Sequence, residues 1–372
     1  MQISMAMLRC FGLLKCLVLC TTRVSSNAAP WGTIEHSLAN STRTTCVKET
    51  RYAATDALFA RVVGVLGPDL NGAASNFFAT IPSYQKASSS KPALPEPPAD
   101  LMNAEQKRPF LGWLGTTLAA HGPHTQQLQR LGLRPYVIPQ EIHAMSGGGI
   151  GFITGGLYNA DMVSEALLWA GGKLEDLHEV LDWGGSTGRS IAMWQAAFPE
   201  TESHLADPIR KSIKWASHHL PTVTAVPSVA QSVGTPYKNS SLDLVFAISI
   251  WSHYNFGSVA LPMIKEMFRI VRPGGYLVIT THGWASLYSK ITDAPTAKLA
   301  VQALKTQGHF YVAAFPGNVD WDPDTKSPDW GMSWVDPHWL YQMVRREWEM
   351  KLLLNGRNDC LQDVIVLQRR HL

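Results

Sequence analysis

From residue 179 onward, short apolar runs alternate with helical patterns, and this rhythm constrains the fold more than any other feature of the chain. Residues 179–184, 202–206, 222–226, 242–248 and 276–281 read as strands. Helical spacing fills 188–197, 207–218 (with Ile209, Ile213 and Trp215 inward) and 259–271. The run LDLVFAI at 242–248 does not alternate, as expected of a strand covered on both faces. Strands separated by helices of this length imply an α/β sandwich with a largely parallel sheet. Two last strands, 347–354 and 363–368, flank a short polar loop and predict an antiparallel terminal pair.

The first junction of this series reads VLDWGGSTGR at 180–189. An apolar run ends in Asp182, a turn of small residues follows, and a helix begins. Such a turn lets main chain approach a ligand closely. The parts of a nucleoside site then appear in order. Gly184 and Gly188, with Gly185 and Ser186 between them, supply the turn. Asp207, at the end of the second strand, supplies a carboxylate for ribose hydroxyls. The stretch AISIWSH at 247–253 lies after the fourth strand, where the reacting end of a ligand would sit. A nicotinamide site would share the first two parts. However, the spacing Gly184-x-Ser186-x-Gly188 is not G-x-G-x-x-G, and an acid before the turn has no role in such a site.

These stretches resemble a class I S-adenosylmethionine-dependent methyltransferase of the small-molecule type, over roughly 139–368. The matches are VLDWGGSTGR, the acid of HLADP, LDLVFAISIWSH, IVRPGGYLVITTHG and the terminal QDVIVL. The resemblance implies a Rossmann-like three-layer sandwich, α/β, whose mostly parallel seven-stranded sheet has an antiparallel last strand. It implies S-adenosyl-L-methionine as cofactor. Asp182, Gly184, Gly185, Ser186 and Gly188 would shape the methionine-side pocket, Asp207 would bind the ribose, and Ala247, Ile248 and Ser249 would line the sulfonium end. Gln231 and Ser232 fall where the family often has an adenine-contacting acid, which this chain lacks. Ser186 replaces the family's middle glycine. His253 is the candidate base for a hydroxyl acceptor, with a loop-fixing role as the alternative. His282 reads as a support of the strand end. The tryptophans at 321, 330, 334 and 339 read either as the wall of an acceptor pocket or as core of an insertion at 283–334.

The expected reaction is methyl transfer to a small-molecule or glycan acceptor. The rivals are a catalytically inactive methyltransferase-like binding module and a nicotinamide-dependent oxidoreductase. Nucleic acid is not expected as partner. Arg9, Lys15 and Arg23 account for the whole charge excess, leaving 29 basic against 29 acidic residues in the rest of the chain. No segment with the Asn/Asp-Pro-Pro-Tyr pattern of exocyclic-amine methylases follows the fourth strand. No metal spacing is evident, since three of the five cysteines lie at 10, 16 and 20 and only Cys46 and Cys360 follow.

Residues 1–29 read as a leader: a secretory signal, a transit peptide and an upstream anchor fit about equally, so an organellar or a cytoplasmic location is expected. No later segment has the length and apolarity of a membrane span. Residues 30–138 are expected to form an N-terminal helical extension with a Ser/Pro linker at 83–100. Within it, 53–66 has helical spacing, and 101–132 reads as helix broken at Pro109 and at Gly122-Pro123. The glycine-rich stretch 146–156 reads as a flexible turn or lid, and Asn159 as the cap of a helix running to about 170. The methyltransferase-like domain is expected over 139–372.

Overall fold

The computed structural model describes residues 53–66, 104–139, 141–142, 148–228, 235–291, 293–313, 329–358 and 361–372. The expected leader, the Ser/Pro linker, Gln231, Ser232, Trp321, Cys46 and Cys360 lie outside the described residues.

The chain runs α1 (Ala53–Leu66), α2 (Ala104–Ala119), α3 (Pro123–Arg130), α4 (Ile150–Trp169), β1 (Glu179–Trp183), α5 (Arg189–Ala197), β2 (Glu202–Asp207), α6 (Arg210–His219), β3 (Val223–Pro227), β4 (Leu242–Ala247), α7 (Ala260–Ile270) and β5 (Val271–Thr281). It continues with α8 (Trp284–Lys290), α9 (Ala294–Gln307), β6 (His309–Val312), β7 (Met332–Val335), α10 (Pro337–Val344), β8 (Trp348–Asn358) and β9 (Gln362–Arg369). The main sheet has seven strands in the order β3-β2-β1-β4-β5-β9-β8. All neighbours from β3 to β5 are parallel. β9 lies antiparallel between β5 and β8 and is the one reversed strand. The α/β class, the mostly parallel seven-stranded sheet and its antiparallel final strand are as the sequence implies.

Side-chain alternation divides the core. Val180, Leu244, Phe246, Val278, Val364 and Val366 face one layer, which contains α1, α4, α5 and α6. Leu181, Val245, Leu277, Ile279, Ile365 and Leu367 face the other, which contains α7 and α10. β4 is buried along its whole length, so its apolar run needs no alternation. The excursion between β5 and α10 builds a small satellite: α8, α9 and the antiparallel pair β6–β7 around Leu287, Leu304 and Trp334.

Helix α1 belongs to the sandwich's own helical layer, with Leu58 and Val62 fully buried. At its start Thr55 donates through N–H (2.8 Å) and Oγ1 (2.6 Å) to the Asp161 carboxylate of α4. Arg61 of α1 donates to the Ala196 carbonyl at the end of α5. Glu165, one turn beyond Asp161, is paired with Arg357 of β8.

Three local readings are corrected. The glycine stretch is no turn or lid from Ile150 on, because α4 starts there and carries Gly151, Gly155 and Gly156 in its first two turns. Asn159 is therefore mid-helix and not a cap; its Nδ2 donates to Ser190 Oγ on α5 at 2.8 Å. The glycines are there for packing: a Cβ on Gly156 would overlap the Arg189 carbonyl oxygen and lie 2.6 Å from Met193 Cγ. Close approach of α5 outweighs the roughly 1 kcal/mol helical penalty of a glycine. Pro109 does not break α2. It stands at the sixth position, where it removes one intrahelical bond near the helix start. The break comes at Gly122-Pro123, with Pro123 opening α3.

Candidate functional site

The carboxyl ends of β1, β2, β4 and β5 share one sheet edge, and the site is built there in two halves. In the first half, Asp182 is the last residue but one of β1 and shares the sheet face of Val180, the α5 side. The turn behind it is tied to β2 by a 2.7 Å bond from Gly184 N–H to the Ala206 carbonyl. Left-handed backbone recurs at Gly184 (φ 77°), Ser186 (φ 54°) and Gly188 (φ 80°). Ser186 has a Cβ in a conformation that costs an L-residue roughly 1–2 kcal/mol. Part of what holds it is its N–H, which donates to Asp207 Oδ2 at 2.8 Å. Asp207 Oδ1 accepts from Ile209 N–H, also at 2.8 Å, so this carboxylate pins the turn and opens the chain into α6.

The room left by the glycines is used by the protein itself. A Cβ on Gly184 would overlap Ile250, one on Gly185 would overlap Asp182 Oδ2, and one on Gly188 would lie 2.8 Å from Leu220 Cδ1. The small residues thus let the turn press down onto the strand ends.

Asp182 is 2% exposed and Asp207 4%. Burial first, then the neighbouring Asp207 charge, pushes the Asp182 carboxyl up to about 8, against the pull of Ile191 N–H and Arg189. Burial likewise raises Asp207 to about 6, against the N–H groups of Ile209 and Ser186. Asp182 Oδ2 has no hydrogen-bond partner among the described residues. A buried carboxylate oxygen left in this state favours a cationic or donating group nearby. Asp207 stands at the neighbouring strand end, with both its oxygens accepting main-chain N–H groups.

The second half is formed after β4. Ala247 is the buried end of that strand, and Ile248 and Ser249 are half-buried beyond it. Ser249 takes a left-handed backbone (φ 62°). Its N–H donates to Thr280 Oγ1 (2.7 Å), and Thr280 in turn donates to Gln362 Oε1 (2.7 Å). Gln362 Nε2 donates to Ser249 Oγ (2.8 Å) and Ser252 Oγ (3.1 Å), while its Oε1 also accepts from Asn358 Nδ2 (2.9 Å). Ser249 Oγ lies 3.5 Å from His253 Nε2.

Residues 329–335 return from the satellite and lie along this loop. Gly331 N–H donates to the His253 carbonyl (3.0 Å), Ser333 N–H to that of Ser252 (2.9 Å) and Val335 N–H to that of His282 (2.9 Å). The His253 ring stacks on Trp330, with centroids 4.9 Å apart, and its Nδ1 lies 2.8 Å from the Gly331 carbonyl oxygen. Burial lowers the His253 pKa, with the Gly331 carbonyl opposing. His282, stacked on Trp334 at 5.4 Å, is lowered to about 4 by burial and then by His253 and Lys290. Its Nδ1 faces the Ser333 carbonyl at 3.2 Å, in keeping with a supporting role. Trp339 lies against Gly308 and His309, apart from this group.

Asp182, Gly184, Gly185, Ser186, Gly188 and Asp207 are therefore gathered in one half, and Ala247, Ile248, Ser249 and His253 in the other. Sequence reasoning did not single out Gln362, Thr280 or Gly331. A polar Gln at the head of an otherwise apolar strand was the one available signal for Gln362.

Residues 181–279 match a family model described as a methyltransferase domain. A malonyl-[acyl-carrier protein] O-methyltransferase of Methylococcus capsulatus is 27% identical over 142 residues, which cover 35% of this chain and 50% of the relative. The chain thus spans about half the length of that curated relative. Among solved structures, a SAM-dependent methyltransferase of Methanosarcina mazei is similar at TM-score 0.39 and 17% identity, covering 53% of this chain and 94% of its own. A geranyl diphosphate C-methyltransferase of Streptomyces coelicolor is similar at TM-score 0.36 and 10% identity, covering 57% and 82% respectively. The strand order defines a Rossmann-like α/β sandwich, with buried acids at the carboxyl ends of β1 and β2. The family match over 181–279 identifies the stretch from β1 into β5 as a methyltransferase domain.

Proposed function

We propose that the protein transfers a methyl group from S-adenosylmethionine to an oxygen of a small-molecule or glycan acceptor. The observation that carries this reading is the pair Asp182 and Asp207 under one strained turn, with an unsatisfied acceptor oxygen on Asp182. In this reading Asp182 faces the cofactor's ammonium, directly or through water, Asp207 holds the ribose diol, and Gly184–Gly188 main chain carries the methionine tail. Ala247, Ile248 and Ser249 line the sulfonium end. When bound, the cofactor supplies an activated methyl group. The protein supplies orientation and a largely dry wall, which in well-aligned systems lowers a barrier by roughly 7–11 kcal/mol. His253 accepts the proton of a hydroxyl acceptor.

Isothermal titration with adenosylhomocysteine tests this. Binding in the micromolar range supports the reading, and no heat at high micromolar ligand removes it. A second reading, a catalytically silent binding module, is favoured by Ser186 standing at φ 54° where a glycine would be unstrained. It predicts no turnover of the cofactor despite a folded sandwich.

A further inference from the structure

We infer that the strap 329–335 fixes His253 as a proton acceptor, and so commits the site to an acceptor atom that carries a proton, a hydroxyl, and against a carboxylate. This rests on the methyltransferase reading of the same site. Gly331 grips residue 253 twice: its N–H donates to the His253 carbonyl (3.0 Å), and its own carbonyl faces His253 Nδ1 (2.8 Å). A carbonyl oxygen has no proton to give, so Nδ1 is the protonated nitrogen and Nε2 carries the lone pair. Nε2 lies on the Ser249 side, 3.5 Å from its Oγ. Trp330 stacks on the ring and packs against one of its faces.

The strap's own place is fixed. A Cβ on Gly331 would overlap the Val312 carbonyl oxygen of β6 and lie 2.9 Å from Tyr311 Oη. Only a glycine lets β7 lie this close to β6 and still reach His253. The satellite is thus a positioning device for one imidazole, and Gly331 is a positioning residue.

The chemistry follows from the tautomer. A hydroxyl presented to Nε2 donates its hydrogen bond and directs an oxygen lone pair elsewhere. As that oxygen bonds the methyl carbon, its O–H bond breaks and the proton goes to Nε2. The carbon–sulfur pair stays on sulfur, and the positive charge moves from sulfonium to imidazolium. The Nδ1–H bond to Gly331 strengthens as the ring becomes charged. A carboxylate has no proton to donate and would set its lone pairs against that of Nε2. The charged and titratable groups near His253 are His282, with ring centroids 6.2 Å apart, and Lys290. The Lys290 charge disfavours imidazolium, so the proton leaves to solvent after transfer.

The test is nitrogen-15 NMR of the histidine rings in the full chain with adenosylhomocysteine present. The expected result is an Nδ1–H tautomer for His253 and an Nε2 signal that moves with added phenol but not with acetate at equal concentration. In Gly331→Ala the tautomer becomes mixed, with adenosylhomocysteine affinity within about twofold of wild type. An Nε2–H tautomer in the wild type, or an Nε2 response to acetate alone, overturns the inference. The wild-type spectrum decides even if Gly331→Ala does not fold. Failure of adenosylhomocysteine to bind, with the expected tautomer seen, overturns the methyltransferase reading and leaves the strap geometry intact.

Discussion

The two halves of the sheet edge handle their polar groups in opposite ways. Around β1 and β2, the charge of buried Asp207 adds to the cost of ionising buried Asp182, a serine stands in a left-handed conformation, and Asp182 Oδ2 has no hydrogen-bond partner among the described residues. Around β4, β5 and β9, both polar ends of the Gln362 amide are engaged, and the backbone of the covering strap is laced to residues 252, 253 and 282. The first half is stabilised fully only when something cationic or hydrogen-donating arrives. The second is stabilised by the fold itself and presents a fixed surface. In the proposed reading the first half takes the cofactor's polar groups, and the second holds the sulfonium end and the acceptor in a geometry that does not depend on a ligand.

The contrast is broken most severely by Gln362→Leu. Ser249, Ser252, Thr280 and Asn358 would each lose a partner, and a buried orphaned group costs about 1–3 kcal/mol. Chemical denaturation should show a loss of at least that size, while adenosylhomocysteine affinity measured on the folded fraction stays near wild type. An equally large fall in affinity would mean that the halves are not separate.

Asp207→Ala acts on the other side. Loss of hydrogen bonds from a charged group should weaken adenosylhomocysteine by roughly 10–100-fold, about 1.5–3 kcal/mol, with the circular dichroism of the sheet retained. Retained affinity would remove the ribose assignment.

The smallest effect is on pH dependence. The Asp182 pKa is raised in the fold, so its contribution to the ligand-free protein's stability is complete below about 4 and is lost as pH rises through about 8. His282 is lowered to about 4, so its contribution grows with pH up to about 6.5 and opposes this. The window from about 6.5 to 8 isolates Asp182. Melting temperature should fall across it, and Asp182→Asn should flatten the fall. An unchanged slope in that variant would show that Asp182 ionises normally.

Much of the first half was legible in the sequence because it is local. A buried strand, a turn of small residues and an acid at the next strand end follow one another within 180–207, and each needs a particular residue type for a physical reason. The turn's strain and the inward use of its glycines were not legible, since Ile250 and Leu220 come from elsewhere in the chain. The second half was legible only along its own loop, at Ala247, Ile248, Ser249 and His253. Its bond from Gln362 to Ser249 joins residues 113 apart, and Gly331 reaches His253 across 78. Helix α4 was misread at its start because glycine weakens an isolated helix, whereas here the missing side chains let α5 approach.

The central claim is tested most directly by a crystal structure of the full chain grown with adenosylhomocysteine. The account predicts density with the amino group on the Asp182 side of the turn, the ribose hydroxyls on Asp207, and the sulfur beside Ser249 at the end of β4. Density absent from this edge, or a ligand turned so that its sulfur points away from Ser249 and His253, would contradict it.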